Sequence, residues 1–517
     1  MKRKITAIIA VMMCVSTLAL SACQPTPDAP IVNAGDDTVL NDKINATPIP
    51  TPEPPEDTNE PIITLSTIYN FPNEQKDEFE CADTDVSVKV DADVVVPDVQ
   101  SVPVVEVEPT IISGEFIKSF TEKMHPGVIF YDDEAVLLKS DAQKYLKNYQ
   151  EKVAMSWEEF LENYQNGDED DARAYYEQCK AMVVEYEKLI PTLPETHEQS
   201  PTDFTYHTLD YYYANYSMPE TRYRAELYGD SWEDIIQSER QFMKMTAQTD
   251  DSMYIQIHVE SRAEGDIVSK FSYKISPYLS QGHGPTWTAE QAGTTSLSAS
   301  EAIVMGSETL EKMGLADEMA LSDVYVHNGT WFVKELKKGQ SCYGYKLEYH
   351  RGFSGLVGSD VNIENDYAYV NGNEVPTITI QHRMVTEITY ESPYVITEVE
   401  NENVGLVSFE EAYEAFKKQA RIEYTLVNTC GYVNIDENDV MHVDESVESC
   451  DLIIDEIRFV MVRIPIKNGG YRYVPAWQFV GKTCVNFKDG TTNERDGRTF
   501  MTINAVDGTR ISGIEWK

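Results

Sequence analysis

The sequence predicts an α+β protein: a helical hairpin followed by antiparallel sheets, with a C-terminal half of two helix-plus-antiparallel-sheet modules. Three observations predict it. Residues 138–190 carry apolar side chains at i, i+3 and i+4, the period of helices with one buried face. Residues 202–275 and the last third of the chain alternate apolar and polar positions between turn residues. A Ser-x-x-Glu capping box occurs twice, at Ser298–Glu301 and 110 positions later at Ser408–Glu411. With 517 residues the chain has room for two to four domains at about 100–200 residues each.

The charge balance narrows the function. There are 42 basic and 87 acidic side chains, a formal charge of −45. Phosphate recognition needs clustered Lys and Arg, so nucleic-acid binding is excluded as a class. Electrostatic adhesion to anionic lipid is disfavoured for the same reason.

The first 22 residues read as a targeting segment. Lys2, Arg3 and Lys4 precede an apolar run from Ile5 to Leu20, too short for a comfortable membrane span. Leu20-Ser21-Ala22-Cys23 closes it. These residues resemble a bacterial lipoprotein signal peptide with its lipobox. The resemblance implies cleavage before Cys23 and lipidation of its thiol, each buried methylene contributing ~0.8 kcal/mol to anchoring. It also implies an extracytoplasmic address at the cell membrane. Removing residues 1–22 leaves 39 basic residues against 87 acidic ones, a charge of −48.

Residues 23–61 follow as a spacer. They hold nine prolines, five of them in Pro48-Ile49-Pro50-Thr51-Pro52-Glu53-Pro54-Pro55, and proline with like charges favours an extended chain. Residues 62–290 form an N-terminal α+β region. Within it, Asp85 to Val107 alternates, which reads as a strand or as a loosely attached extended segment. In 138–190, Asn166-Gly167 breaks the helical pattern and Pro191 stops it. Tyr175, Tyr176, Cys179, Met182, Val183, Tyr186 and Leu189 make one stripe, read as core rather than as a stacking box for a ligand. Phe204 to Tyr213, Arg222 to Tyr228 and Met253 to Val259 then read as strands.

The first C-terminal module spans 297–406 and the second 407–517. Each opens on its capping box and an amphipathic helix, about 298–314 and 408–420, and continues in strands. In the first these are Tyr343 to Tyr349 and Tyr367 to Val370; in the second, Ile457 to Ile466, Tyr471 to Val480 and Phe500 to Val506. Pro475-Ala476-Trp477-Gln478-Phe479 and Thr502-Ile503-Asn504-Ala505-Val506-Asp507-Gly508 resemble PepSY-like and YycH-like extracytoplasmic modules. The whole order is similar to clostridial lipoproteins of unknown function. The resemblance implies a non-catalytic surface module that binds or regulates an envelope partner, with no catalytic residues to carry over.

The search for chemistry returns little. No His-Glu-x-x-His, Gly-x-Ser-x-Gly, P-loop, Gly-x-Gly-x-x-Gly or penicillin-binding Ser–Lys signature occurs, and Gly352-Phe353-Ser354-Gly355 lacks the elbow spacing. His258 sits in an alternating run and reads as a sheet residue; His283 lies between glycines without a visible partner. Asn434, Asp436, Asn438, Val440, His442 and Glu445 fall in the register of a calcium loop. Asn434 stands where an acid is usual and Asp439 where glycine is needed, so an acidic hairpin loop is preferred. Six cysteines remain after Cys14 and Cys23: Cys81, Cys179, Cys342, Cys430, Cys450 and Cys484. They show no Cys-x-x-Cys, and Cys430 with Cys450 is the first choice for a disulfide. The reading is therefore of a membrane-anchored, non-enzymatic binding or regulatory lipoprotein without a cofactor. A solute-binding lipoprotein is the alternative, and a cell-wall hydrolase with an unrecognised site a third.

Overall fold

The computed structural model describes residues 38–50, 64–82, 85–133, 137–164, 169–196, 198–208, 240–262, 269–277, 279–280, 284–285, 294–359, 374–435, 441–466 and 470–511, with Pro219 and Tyr223. Strands make up 41% of the structure and helices 28%. Nineteen strands are joined through one mixed sheet, which folds into two bodies.

The first body is centred on two long strands, Val447–Pro465 and Tyr471–Phe487, paired antiparallel along their whole length. Thr492–Asn504 extends the sheet on one side. On the other, Val86–Val95 runs parallel to Val447–Pro465, and Glu74–Glu80 pairs beyond it. The alternation of Val86, Val88, Val90 and Ala92 puts all four side chains in the core. Trp477, fully buried, meets Phe71, Phe409 and Phe459 edge-on at 4.9–5.1 Å, the geometry the ring quadrupole favours. Helix Phe409–Glu423 lies over this face through Phe409, Ala412, Tyr413, Phe416 and Ala420, a single 3.6-period stripe. Gly481 is required beneath it, because a Cβ there would stand 1.9 Å from the Ile453 carbonyl oxygen.

The opposite face of this sheet is covered by residues 38–50, which corrects part of the spacer expectation. Leu40 and Ile44 of helix Thr38–Ile44 pack on Val104, Val460, Val462, Val474, Ala476 and Val506. Asn401 Nδ2 donates to the Ile44 carbonyl at 2.8 Å, and Asn403 exchanges two bonds with Ile49 at 2.8 and 2.9 Å. The proline and acid content of 23–61 hid a short amphipathic turn. Residues 1–37, with the signal segment and Cys23, and residues 51–63 lie outside the described residues.

The second body is an antiparallel sheet in the order Met319–His327, Gly344–Phe353, Thr377–Gln381, Met384–Glu391, Ser269–Ser276, Tyr254–Arg262 and Arg240–Gln248. Helices Gly114–Met124 and Ala299–Met313 pack on it through Ile117, Phe120, Ala302, Leu310 and Met313. The chain crosses between the bodies after Pro109, after Phe353, again between Ser359 and Thr377, and after Glu391, so residues 110–391, apart from Leu356–Ser359, which pairs with Val447–Pro465, are inserted into a body made of 38–109 and 394–511.

This topology overturns the expected fold class. Both capping boxes form, and both helices lie where they are expected. Neither helix, however, is followed by a self-contained sheet. The sheet under Ala299–Met313 takes three strands from 240–276, and that under Phe409–Glu423 takes Glu74–Glu80, Val86–Val95 and Val104–Pro109. The two PepSY-like modules therefore do not exist as units. Helices Lys139–Val153, Trp157–Asn163 and Glu169–Leu189 do occupy 138–190, with Cys179, Met182 and Tyr186 buried as the tyrosine stripe requires. They form an excursion from the second body, between Tyr131–Asp132 and His207–Thr208, rather than a hairpin domain preceding the sheets. Of the other expected strands, Met253 to Val259 forms within Tyr254–Arg262, and Phe204 to Tyr213 is reduced to His207–Thr208 where described. Arg222 to Tyr228 lies outside the described residues apart from Tyr223, and Tyr367 to Val370 lies wholly outside them. Among the described residues no helix is long and apolar enough to cross a membrane.

Candidate functional site

The polar groups that converge in the second body lie at a cavity of about 190 Å³ between the two helices and the sheet. Met124 and His125 enter from the end of Gly114–Met124, and Met305, Glu308, Thr309 and Lys312 from one face of Ala299–Met313. Tyr273, Ile275, Met384 and Val385 form the floor from two paired strands.

His125 Nε2 and the Tyr273 hydroxyl are hydrogen-bonded at 2.9 Å, their rings stacked at 5.8 Å. Burial, reinforced by the Lys312 cation, pushes His125 down to about 4, and burial pushes Tyr273 up. Both are neutral at pH 7. The wall is thus apolar with one neutral hydrogen-bonding pair, and its charges, Glu308 and Lys312, come from the solvent-facing helix. Flexible methionines suit the recognition of a small apolar body by shape. An imidazole this hard to protonate is a weak general base, and burial keeps the Tyr273 hydroxyl beside it un-ionised.

A second constellation joins Asp132, Asp203 and His207, whose ligand atoms all lie within 4.8 Å of one another. Asp203 Oδ1 already accepts from the Thr205 amide at 3.1 Å and its hydroxyl at 2.6 Å, so this carboxylate is engaged in a local turn. The donor set, two carboxylates and an imidazole, matches a divalent cation in type.

The third feature is a surface. Strand Tyr394–Asn401 pairs with Val104–Pro109 at the margin of the first body, and Val395, Ile396 and Val399 on it are exposed. Glu398 stands directly opposite Glu106.

The residues singled out in the sequence fall elsewhere. Cys23 and His283 lie outside the described residues. His258 is a half-buried sheet residue stacked on Phe242 at 5.6 Å, held low first by burial and then by Lys244. Ser354 and Gly355, both at positive φ, make the tight turn where Gly344–Phe353 gives way to Leu356–Ser359, the second crossing between bodies. The flanks of the 434–445 loop pair as a hairpin, Asn434 opposite His442, with 436–440 outside the described residues. Cys430 and Cys450 are buried thiols in the first core, and burial pushes Cys450 up to about 12.

Sequence reasoning missed His125, Tyr273 and the Asp132 trio because their members are brought together only by long-range pairing.

No family model and no curated protein matches the chain. Among solved structures, it aligns with the crystal structure of an uncharacterized protein from Eubacterium rectale ATCC 33656. That alignment covers 93% of this chain and 99% of the other at 9% identity, with a TM-score of 0.34, too weak a likeness to carry any argument.

Proposed function

We propose that the chain is an extracytoplasmic lipoprotein, held to the cell membrane by a lipid on Cys23, that binds an envelope partner and carries out no chemistry of its own. The observation that carries the binding role is the open edge at Tyr394–Asn401, where apolar side chains stay exposed beside a row of acids. The anchor rests on Leu20-Ser21-Ala22-Cys23. With residues 38–50 docked on the sheet, fourteen residues separate Cys23 from Thr38. They reach at most about 50 Å. The body therefore works close to the bilayer, in reach of membrane-embedded or membrane-bound neighbours.

Two measurements test this. Labelled palmitate supplied to cells should enter the protein and be lost in Cys23→Ser, which should leave the membrane fraction. Cross-linking on intact cells should capture the same envelope protein reproducibly; an unlabelled protein found free in the medium, or no reproducible partner, overturns the reading. The cavity beside His125 favours a second reading, capture of a small apolar solute. A small molecule that raises the melting temperature of the wild type but not of a variant with the cavity filled would establish it.

A further inference from the structure

The first body's sheet ends at Tyr394–Asn401, which pairs on one side with Val104–Pro109 and, among the described residues, with no strand on the other. A free edge offers a row of N–H and C=O groups and is ordinarily blunted by proline, lysine, brevity or a cover. This edge is eight residues long and contains neither proline nor lysine, and its register with Val104–Pro109 shifts twice, between Ile396 and Glu398 and between Val399 and Asn401. Its backbone phase is set at the first residue. The Tyr394 amide donates to Glu374 and its carbonyl accepts from Arg351, so residue 394 is turned away from Val104–Pro109. Ile396, two residues on, turns the same way.

The two faces of the edge differ. Ile396 lies opposite Val107, and Val399 opposite Val105, both of which are buried in the core. Ile396 and Val399 are nevertheless 42% and 53% exposed, so the apolar face of the sheet continues past its last paired strand. On the other face Glu398 is paired with Glu106, a like-charge arrangement that costs stability. Val395 opposes Glu108, and Glu400 follows. Arg472 reaches this row, but it is bidentate to Glu400, bonds Asn41 at 3.0 Å and stands 3.7 Å from Glu106. Burial, then Glu400, Glu398 and Glu108, hold Glu106 above the usual carboxylate range against the pull of Arg472.

We infer that this edge takes up an extended cationic segment of a partner protein as an added strand, with apolar residues over Ile396 and Val399 and Lys or Arg against Glu398 and Glu106. The inference rests on the binding role proposed above and names the partner's chemistry. Main-chain bonds along the edge supply affinity, and the alternation of side chains supplies selectivity. The acidic row supplies attraction and its salt dependence.

The test uses the purified full chain and a fluorescent eight-residue peptide alternating lysine and valine. Three controls accompany it: the same peptide N-methylated at alternate residues, a counterpart with glutamate for lysine, and the protein variants Ile396→Pro and Glu398→Lys. Saturable binding is expected, with roughly tenfold or greater loss on N-methylation, with glutamate and in either variant. It should weaken as salt rises from about 50 to about 500 mM. Equal binding of the N-methylated peptide would mean charge attraction alone and overturn strand addition, as would absence of binding. The peptide controls leave the protein unaltered, so they decide the matter even if a variant fails to fold. If an envelope protein cross-links equally well to wild type, Ile396→Pro and Glu398→Lys, the binding role stands and this edge is not its seat.

Discussion

Arg351 and Glu374 face each other in the seam between the two bodies, with Nε and Nη2 donating to the two carboxylate oxygens at 2.6 Å each. Both side chains are almost wholly buried, and both make further bonds. Arg351 also bonds the Tyr394 carbonyl and Glu318, and Glu374 accepts from the Tyr390 hydroxyl and the Tyr394 amide. Tyr390 is next to last in one body's strand and Tyr394 begins the other's, while Arg351 lies three residues before Ser354 in the turn. One ion pair thus ties down two of the four chain crossings.

Breaking this pair should be expensive. Arg351→Met leaves Glu374 buried without its cation, and Glu374→Gln leaves the guanidinium short of an anion; each should cost about 3–5 kcal/mol. Urea unfolding measures the loss. The double variant should lose less than the sum of the two, because the uncompensated charge has gone.

The crowding of Ala299–Met313 on Gly344–Phe353 gives a second prediction. A Cβ on Gly306 would stand 2.1 Å from the Tyr349 hydroxyl and 2.4 Å from Leu347 Cδ1. In a free helix Gly→Ala stabilises by about 1 kcal/mol. Here overpacking should outweigh that gain, so Gly306→Ala should be destabilised by about 1–3 kcal/mol. Tyr349→Phe removes the nearest obstructing atom, which among the described residues has no hydrogen-bond partner. Adding it to Gly306→Ala should restore part of the stability in thermal melts.

His125 gives the fold a defined acid limit. Its folded-state value is about 4, below the ordinary 6.5 of an unfolded chain. Between those values the unfolded state binds more protons, so stability is full above about pH 6.5 and falls as pH drops toward 4. Allowing for the partial exposure of the ring, about 2 kcal/mol is at stake. His125→Gln keeps a partner for the Tyr273 hydroxyl but cannot titrate. The difference between its stability–pH curve and that of the wild type should slope through this window and flatten below it. Two parallel curves would remove the assignment.

Part of what neighbours decide is legible in the sequence, although Thr38–Ile44, Glu74–Glu80, Thr377–Gln381 and Met384–Glu391 are not, and what depends on distant pairing is hidden from it. The boxes at Ser298 and Ser408 and the alternation at Ile457–Ile466 and Tyr471–Val480 are decided by neighbours within a few positions, and all form. That Val86–Val95 would lie parallel to Val447–Pro465 is a pairing across more than 350 residues, and no periodicity announces it. Nor could the serine–glutamate echo tell whether each helix owned its sheet. The open edge was not legible: Tyr394 to Asn401 has no alternating pattern, and that nothing pairs with its outer side among the described residues is a property of the fold.

The docked N-terminal segment gives the last prediction. Leu40 is 5% and Ile44 2% exposed, and both sit on the sheet face opposite Phe409–Glu423. Ile44→Asp places a charge on that apolar face, where it has no cation to meet: Lys43 is already bonded to the Val506 carbonyl at 2.6 Å and Arg472 to Glu400 and Asn41. Burying an unpaired carboxylate costs more than the few contacts of a seven-residue helix can repay, so the segment should leave the sheet rather than the sheet unfold. Amide exchange should then accelerate across residues 38–50 while Val447–Pro465 and Tyr471–Phe487 stay protected, and a protease should cut between residues 38 and 50. Cooperative loss of protection in the long strands as well would mean that the segment is part of the core's folding unit and not a detachable cover.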